Sequence, residues 1–315
     1  MTELQSAVAG DHLEFHGTDG DDHLVVPAND DWNHVEAYTG SDLIEVDQGN
    51  MGHVNIWLDD GGDTVHGGPG SESLSLWDEA RIGDTRFYGG AGDDYAAIYR
   101  GAGQDIFFDG GEGRDTLSIG ARSAFVHLQN GTLLIGPINE PGVFVEATAR
   151  NFEAAYGGVD HDILVGTDGG NVLLGYSGDD LLSGRGGTDR LDGSDGDDIL
   201  VGGRGADGLL SGRGADIIRI DRLVESLPGQ EDTILDLTSR DRIDLSRIDA
   251  DLTAPGDQAF AFIGTAAFGG AAGELRYEAM GEDLLVSADA DGDGVADLAV
   301  KVRNLTQLTA TDFIL

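Results

Sequence analysis

The chain has 315 residues, including 51 glycines, and carries 59 Asp and Glu against 18 Lys and Arg, a formal net charge of −41 that excludes nucleic acid and anionic membranes as favourable partners. The absence of cysteine excludes a disulfide framework and thiolate zinc sites. Because 40% of the residues are hydrophobic and recur periodically, the sequence predicts a folded chain whose carboxylates lie in solvent or bind cations.

Residues 1–119 repeat with a period near 20. Aspartates recur every 20 or 21 residues, at Asp22, Asp42, Asp63, Asp84 and Asp105. Short apolar stretches recur between them at similar intervals, which indicates coils of about twenty residues with two strands each. We predict a degenerate β-solenoid over this segment.

Strand alternation in the same segment predicts outward aromatic side chains on one face. In VEAY, VNIW, LSLW and AAIY the first and third residues point inward, so the fourth point outward; these are Tyr38, Trp57, Trp77 and Tyr99. The opposite sheet is expected to show Glu45, His66, Arg86 and Tyr88 outward. Two interpretations stay open. The aromatic row is covered by residues 120–156 or stabilises the sheet by cross-strand stacking, or it binds polysaccharide, with the polar side chains as an acid–base site for lysis or epimerisation.

Residues 120–156 contain the strand-like stretches AFVHL, GTLLIG and GVFVEA. They predict either a few irregular coils or a β-hairpin insert. No residues typical of a catalytic or binding site are visible in this segment.

Residues 157–219 repeat every nine residues in seven units. Glycine opens a typical unit, another glycine is fourth, and the sixth positions are Asp162, Asn171, Asp180, Asp189, Asp198, Asp207 and Asp216. The eighth positions are Leu164, Leu173, Leu182, Leu191, Leu200, Leu209 and Ile218. A glycine-rich turn of six residues followed by a three-residue strand stacks the aliphatic residues inside a solenoid, with two units per coil. The carboxylates then line each edge and repel one another unless a hard cation lies between them.

This pattern resembles the calcium-binding GGxGxDxUx repeat of RTX (haemolysin-type) proteins. The resemblance implies a β-roll in which each Ca²⁺ lies between units n and n+2, bound by their aspartates and by carbonyls of the glycine turns. The implied ligand pairs are Asp162/Asp180, Asp180/Asp198 and Asp198/Asp216 on one edge, and Asn171/Asp189 and Asp189/Asp207 on the other. The implied turn glycines are Gly175, Gly184, Gly193 and Gly202. Asn171 brings no charge, so its site is expected to be weaker.

Some N-terminal turns keep the glycine- and aspartate-rich motif of this repeat, for example GGAGDD at residue 89 and GGEGRD at residue 110. His34, His53 and Glu72 are expected at the ligand position of other coils, which predicts that most N-terminal calcium sites are lost. Asp94 and Asp115 form the best remaining pair.

Residues 220–315 alternate apolar residues with turn signals, which predicts strands that close the roll. They resemble the C-terminal domain of serralysin-type secreted proteins, which implies a β-sandwich-like cap carrying the signal for a type I ABC exporter. The ending Asp312, Phe313, Ile314 and Leu315 matches that family's acid followed by three hydrophobic residues, which we expect to be exposed. The segment DADGDGVAD, residues 289–297, begins like an EF-hand loop, but Val300 stands where a glutamate is required, so it predicts a turn.

The N-terminus lacks the basic start and apolar core of a cleaved signal peptide, and no apolar run is long enough to span a bilayer. With the resemblance, these features imply an extracellular protein secreted by the type I route without a cleaved N-terminal signal. The expected fold is all-β, an elongated parallel β-roll or β-solenoid with a C-terminal β-sandwich-like cap.

The sequence contains no HExxH or GxSxG motif, and HLEFH at 12–16 has the wrong spacing for a zinc site. It therefore favours a calcium-binding, secreted protein that folds outside the cell and has a structural, adhesive or surface-binding role. The alternative is a carbohydrate-active protein, similar to a polysaccharide lyase or epimerase, that uses the N-terminal solenoid face. Whether the protein is an enzyme stays open, with a non-enzymatic role favoured.

Overall fold

The computed structural model describes residues 6–9, 12–29, 31–59, 61–76, 84–99, 106–120, 123–136 and 145–315. Within these ranges the chain forms 30 β-strands and two short 3₁₀ turns, Leu223–Glu225 and Ala310–Asp312, and no α-helix. None of the described segments forms a helix long and apolar enough to cross a membrane. The chain divides into two compact units, Met1–Ile163 and Leu164–Leu315.

The first unit contains sixteen complete strands among its described residues. They are β1 Ser6–Ala9, β2 His12–His16, β3 His23–Val26, β4 Asn33–Glu36, β5 Leu43–Val46, β6 His53–Leu58, β7 Thr64–His66, β8 Ser71–Leu76, β9 Arg86–Ala91, β10 Tyr95–Ile98, β11 Ile106–Glu112, β12 Thr116–Ile119, β13 Ala124–His127, β14 Thr132–Ile135, β15 Val145–Arg150 and β16 Ala154–Tyr156. Strand β17, Ile163–Val165, crosses the boundary to the second unit.

In the coils of the first unit, successive strands alternate between two largely parallel sheets. One has the order β1-β2-β4-β6-β8-β10-β12-β16 and the other β3-β5-β7-β9-β11-β15-β14-β13. In the second of these, His23 pairs with Leu43, Leu43 with Thr64, and Thr64 with Arg86. These steps confirm the predicted coil of about twenty residues with two strands.

Inward side chains stack in register between coils of this unit, as strand alternation requires. One sheet supplies the buried row Leu24, Ile44, Val65, Phe87 and Phe108, and the other supplies Val35, Ile56, Leu74, Ala96, Leu117 and Ala155, all with no exposed surface. Burial of such rows is the main favourable term in folding. Strands β13, β14 and β15 depart from the coil, because they pair antiparallel as a meander.

The second unit holds the remaining strands. They are β18 Val172–Leu174, β19 Leu181–Gly186, β20 Arg190–Asp192, β21 Ile199–Arg204, β22 Gly208–Leu210, β23 Ile217–Arg219, β24 Asp232–Ile234, β25 Arg242–Asp244, β26 Ala261–Gly264, β27 Glu274–Met280, β28 Asp283–Asp289, β29 Leu298–Val302 and β30 Phe313–Ile314. They form two sheets with the orders β18-β20-β22-β24-β29-β28-β27-β26 and β19-β21-β23-β25-β30.

The nine-residue repeat produces this register. Leu173 pairs with Leu191 and Leu191 with Leu209, so two units of nine residues make one coil. The eighth-position side chains of this unit are buried, at no more than 1% exposure. This confirms the predicted parallel β-roll.

Both sheets continue beyond the glycine repeats. Ile234 stacks on Leu209 and Ile243 on Ile218, in strands β24 and β25 that pair parallel with the roll. Strands β29 and β30 add one more parallel strand to each sheet. The antiparallel strands β27, β28 and β29 then complete the cap.

Candidate cation-binding ladders

The sixth-position residues of the second unit form two ladders of buried carboxylates, one on each edge of the roll. The backbone N–H of the sixth-position residue in one coil donates to Oδ1 of the sixth-position aspartate in the next coil. The donor–acceptor distances are 2.7 Å for Asn171 to Asp189, 2.8 Å for Asp180 to Asp198, 2.8 Å for Asp189 to Asp207 and 2.9 Å for Asp198 to Asp216. Within the second unit, the structure thus brings together the sixth-position residues of repeats n and n+2, which are the pairs that the sequence predicts.

Asp162 belongs to the first unit. Its two oxygens accept the N–H groups of Ala124 and Gly158, at 2.5 and 2.6 Å. Its pairing with Asp180 involves both units and stays a prediction.

Each ladder has a further rung that the sequence reasoning missed. The Asp207 N–H donates to Oδ1 of Asp232 at 3.0 Å, and the Asp216 N–H donates to Oδ1 of Asp241 at 3.1 Å. Both acceptors are buried. Each acceptor lies 25 residues after its donor, whereas the repeat predicts 18, so the repeat does not identify it. Each acceptor does stand two residues before an inward isoleucine, and this local pattern could have identified it.

Four of the ladder carboxylates in the second unit each have one unsatisfied oxygen. Oδ2 of Asp189, Asp198, Asp207 and Asp216 is buried and has no hydrogen-bond partner among the described residues. A buried, unpaired charge of this kind is strongly unfavourable. The ladder therefore needs a proton or a cation at each of these oxygens.

The environment of these carboxylates favours the neutral form when no cation is bound. Burial, together with a smaller effect of neighbouring carboxylates, raises the pKa of Asp189, Asp198 and Asp216 to about 7, against the opposing effect of the backbone hydrogen bond. The field of a bound cation would reverse this preference.

The glycine that opens each unit is required by the position of the carboxylate. A Cβ on Gly175, Gly184, Gly193 or Gly202 would lie only 2.2–2.5 Å from Oδ2 of the aspartate five residues later. At Gly184 it would also lie 2.5 Å from the carbonyl oxygen of Gly202 in the next coil. Carboxylate and carbonyl oxygens therefore converge at these turns, and this set of hard oxygen donors fits Ca²⁺.

The first unit contains the same arrangement on both edges. On one edge the N–H of Asp22 donates to Asp42 and that of Asp42 to Asp63, both at 2.8 Å. On the other, Glu72 donates to Asp94 at 2.7 Å and Asp94 to Asp115 at 2.8 Å, which brings together the predicted Asp94/Asp115 pair. Each of these acidic residues keeps one buried oxygen without a partner among the described residues.

The expected places of His34 and His53 need correction, whereas Glu72 lies at the ligand position as expected. Glu72 is a rung of the ladder, and burial, followed by the charge of Asp94, raises its pKa to about 8. The register places Val54 opposite Glu72 and Asn33 opposite Val54, so His34 and His53 are one residue away from the ladder row. The acidic part of this ladder ends at Val54, because its apolar side chain offers no ligand atom.

The EF-hand-like segment is a turn, in agreement with the sequence prediction. Carboxylate oxygens of Asp289, Asp291 and Asp297 lie within 4.8 Å of one another. Asp289 accepts the N–H groups of Gly292 and Gly294, at 2.7 and 2.8 Å, and Asp297 accepts that of Ala290 at 2.8 Å. These bonds close the turn between β28 and β29.

The Asp312–Leu315 segment is part of the fold. Asp312 accepts the N–H of Thr309 at 2.6 Å, and Phe313 pairs with Ile243 in the last parallel strand. Phe313 is only 7% exposed, with its ring centroid 5.2 Å from that of Phe262, so the expectation of three exposed hydrophobic residues is wrong for Phe313. Ile314 is 37% exposed.

The predicted aromatic row is placed differently. Tyr38 and Trp57 are 37% and 43% exposed, Tyr99 is half-buried, and Trp77 lies outside the described residues. The register sets Trp57 opposite Glu36, two residues from Tyr38, so these two rings are not neighbours in one row. On the opposite sheet His66 and Arg86 are exposed and Glu45 and Tyr88 are half-buried.

The family described as peptidase M10 serralysin C terminal matches residues 108–315. No curated protein matches the chain. Among solved structures, the AlgE6R3 subunit of the Azotobacter vinelandii mannuronan C5-epimerase is 27% identical, over 50% of this chain and 78% of that chain, with a TM-score of 0.25. The extracellular lipase LipA of Serratia marcescens is 14% identical, over 85% of this chain and 45% of that chain, with a TM-score of 0.22.

Proposed function

We propose that this chain, which belongs to the peptidase M10 serralysin C-terminal family, is a secreted protein that binds Ca²⁺ along its buried carboxylate ladders and folds only outside the cell. The observation that carries the proposal is the set of buried ladder oxygens without partners among the described residues, beside glycine turns that no side chain could share.

The donor set selects the kind of cation. Carboxylate and carbonyl oxygens in a flexible glycine turn suit Ca²⁺, whereas Mg²⁺ demands a stricter octahedral geometry and keeps more of its water. When bound, Ca²⁺ supplies the positive charge that the ionised ladder lacks. The residues that would hold it in the second unit are Asn171, Asp180, Asp189, Asp198, Asp207 and Asp216, with the turns of Gly175, Gly184, Gly193 and Gly202. Asp162 would extend this set, and Asp94 with Asp115 would form a site in the first unit.

Cation binding would be coupled to folding. Without a cation, chain entropy of the glycine-rich turns and repulsion along the ladders both oppose the roll. A ligand that binds only the folded chain shifts the equilibrium toward it. Sites of extracellular type bind in the range of about 10⁻⁴ to 10⁻³ M, so the chain would stay unfolded in a cell and fold in a calcium-rich medium.

The Asp312–Leu315 segment is proposed as a signal for a type I ABC exporter. Phe313 is buried in the folded cap, so an exporter that recognises this side chain must do so before the roll forms. This order of events agrees with folding on calcium outside the cell.

The proposed biological role is structural or adhesive, with extracellular polysaccharide as the partner. The alternative, a lyase-like or epimerase-like activity, would have to use the outer face of the first unit, where Tyr38 and Trp57 are exposed. If the protein binds polysaccharide in a calcium-dependent manner and releases no new reducing or unsaturated chain ends, the adhesive role is favoured. Release of such chain ends favours the enzymatic alternative.

Equilibrium dialysis against millimolar CaCl₂ tests the calcium proposal. We expect several ions per chain, and fewer in the variant Asp189→Asn, because Asp189 belongs to two of the predicted pairs. No bound calcium, or an unchanged count in this variant, would contradict the assignment.

A further inference from the structure

A cluster of histidine, glutamate and aromatic side chains lies on the outer face of the sheet β2-β4-β6, and the ladders do not use it. Glu36 on β4 pairs with His16 on β2 and with Trp57 on β6. One alternation earlier, His34 pairs with Asn55. The residues lie on the same face because their positions along each strand differ by two.

Three side chains converge on the carboxylate of Glu36. Oε1 lies 3.2 Å from Nε2 of His34, and Oε2 lies 3.1 Å from Nδ1 of His16 and 2.9 Å from the hydroxyl of Tyr38. Each histidine donates in the tautomer that forms its bond. Burial alone would raise the pKa of Glu36, but the bonds from His34, Tyr38 and His16 outweigh it and hold the pKa below its ordinary value. Glu36 is therefore a fixed, ionised acceptor.

Tyr38 reaches this carboxylate through an unfavourable backbone conformation. Strand β4 ends at Glu36, and Tyr38 follows with φ of 57°, in the left-handed region that bulky residues avoid. The conformation turns the phenol back onto the strand. Such strain concentrates at functional sites.

The aromatic rings around Glu36 have surface available to a ligand. Trp32, Tyr38 and Trp57 are 44%, 37% and 43% exposed. His34 meets Trp57 edge to face, with centroids 4.9 Å apart and an interplanar angle of 89°. Stacked pairs occur on both sheets: His66 with Tyr88 on the opposite sheet (5.0 Å, 12°), and Tyr38 with His16 (6.3 Å, 25°) and Trp32 with His34 (6.0 Å, 4°) beside Glu36. The pair of His66 and Tyr88 fits the cross-strand stacking interpretation. Trp57 has no stacked ring partner among the described residues, so its exposed indole is the ring surface that fits ligand binding.

The chemistry of the face matches a sugar. A sugar ring presents a C–H face that packs on an indole, and hydroxyls that bond to carboxylate and imidazole groups; sites of this type combine aromatic surface with a few placed polar groups. The formal charge of −41, with Asp19 and Asp59 adding negative charge near Tyr38, disfavours uronate or sulfated chains.

We propose that His16, His34, Glu36, Tyr38 and Trp57 form a binding site for an uncharged polysaccharide, with a sugar ring against the indole of Trp57 and its hydroxyls on Glu36 and His16. This proposal names the class of polysaccharide that the adhesive role proposed above would bind, and it rests on that role. Its geometry involves none of the ladder carboxylates.

Tryptophan fluorescence reports on this site directly, because the chain has three tryptophans, Trp32, Trp57 and Trp77, all in the first unit. The full chain, folded in millimolar calcium, is titrated with the uncharged hexamers of β-1,4-linked glucose and N-acetylglucosamine and with the anionic hexamer of mannuronate. We expect a saturable change with at least one uncharged hexamer and none with mannuronate. No change with either uncharged hexamer, or equal binding of mannuronate, would overturn the proposal.

Variants are compared by calorimetry, which does not depend on the indoles. Trp57→Ala and Glu36→Gln should each weaken binding about tenfold, corresponding to the loss of one ring contact or one charged hydrogen bond. Tyr88→Ala, on the opposite sheet, is the matched control and should bind like the wild type. If Trp57→Ala alters the circular dichroism spectrum, Glu36→Gln decides: weaker binding with an unchanged spectrum supports the site, and unchanged binding contradicts it.

Circular dichroism of the wild type separates the two proposals. A chain that folds on calcium but binds no uncharged hexamer contradicts the polysaccharide site alone. A chain that binds the sugar but has the same circular dichroism spectrum with and without calcium contradicts the ladder proposal alone.

Discussion

The backbone N–H of Asp198 donates to Oδ1 of Asp216, 2.9 Å away and one coil further along the roll, while Oδ2 of Asp216 is buried without a hydrogen-bond partner among the described residues. Asp189, Asp198, Asp207 and Asp216 thus each use one oxygen to hold the coils together and leave the other for a proton or a cation. This division makes the fold depend on what occupies the second oxygen.

Asp198→Asn should weaken calcium-induced folding more than any change of an exposed aspartate. Asp198 belongs to the pairs with Asp180 and Asp216, so the change removes charge from two sites. We expect the calcium concentration at half-folding to rise about tenfold, since ligand charge sets affinity in such sites. The measurement is a calcium titration followed by circular dichroism.

Asp195→Asn is the control for this change. Asp195 is exposed, and the contact of its side chain is a 3.4 Å surface ion pair with Arg213, which has small energetic value. Its titration midpoint should stay near that of the wild type. Equal shifts in the two variants would indicate a general charge effect in place of specific sites.

Gly184→Ala should destabilise the calcium-loaded roll by about 1–3 kcal/mol or more, as overpacking does. The added Cβ would lie 2.2 Å from Oδ2 of Asp189 and 2.5 Å from the carbonyl oxygen of Gly202. Thermal melts in saturating calcium give the comparison with Gly208→Ala, where the nearest atom is 3.9 Å away. The control should melt at or above the wild-type temperature, and similar losses in both variants would refute the steric account.

Stability of the calcium-free chain should fall as the pH rises. The folded-state pKa of Asp189, Asp198 and Asp216 is raised from 3.8 to about 7, so between these values the folded state binds more protons than the unfolded state. The stabilising contribution of their neutral forms is full below about pH 3.8 and is lost as the pH passes 7. Circular dichroism of resin-stripped protein should show more β structure at pH 5 than at pH 8.

Calcium should remove this pH dependence, because it favours the ionised ladder. At pH 5, where the calcium-free roll is expected to be folded with these carboxyls protonated, addition of calcium should therefore release protons, measurable in a pH-stat. A calcium-free chain that is as folded at pH 8 as at pH 5, or calcium binding without proton release, would contradict the account of the buried carboxylates.

Phe313→Ser and Ile314→Ser separate folding from export. Phe313 is buried against Phe262, so its loss should destabilise the cap by about 3 kcal/mol. Ile314 is partly exposed, and its replacement should change the melting temperature little. If an exporter reads both residues in the unfolded chain, both variants should reach the medium poorly from a host with a type I exporter. Wild-type secretion of Ile314→Ser would count against this signal.

The sequence predicted the second unit well because its repeat leaves little freedom. Nine residues with a fixed glycine and aspartate determine the turn, the inward aliphatic residue and the pair of carboxylates that meet in successive coils. The repeat did not predict the rungs Asp232 and Asp241, because the coil that leads to each of them has 25 residues instead of 18. The local Asp-x-Ile pattern is kept, but the nine-residue spacing is lost.

In the first unit, the direction of side chains was easier to predict than their neighbours. Strand alternation correctly predicts that Tyr38 and Trp57 are exposed, but a shift of two residues preserves alternation while changing every cross-strand pair. The register that sets Trp57 opposite Glu36 depends on loop lengths, and the near-20 period does not define them. Likewise, the burial of Phe313 depends on Phe262, 51 residues earlier, which no local pattern indicates.

The most direct test of the calcium-dependent fold is far-ultraviolet circular dichroism of the calcium-stripped chain at pH 8, titrated with CaCl₂ and, separately, with MgCl₂. We predict little β structure at the start, a cooperative gain at about 10⁻⁴ to 10⁻³ M calcium, and no comparable gain with magnesium. Equal β structure before and after calcium would contradict the account, because the ladders would then fold without the cation that their geometry implies.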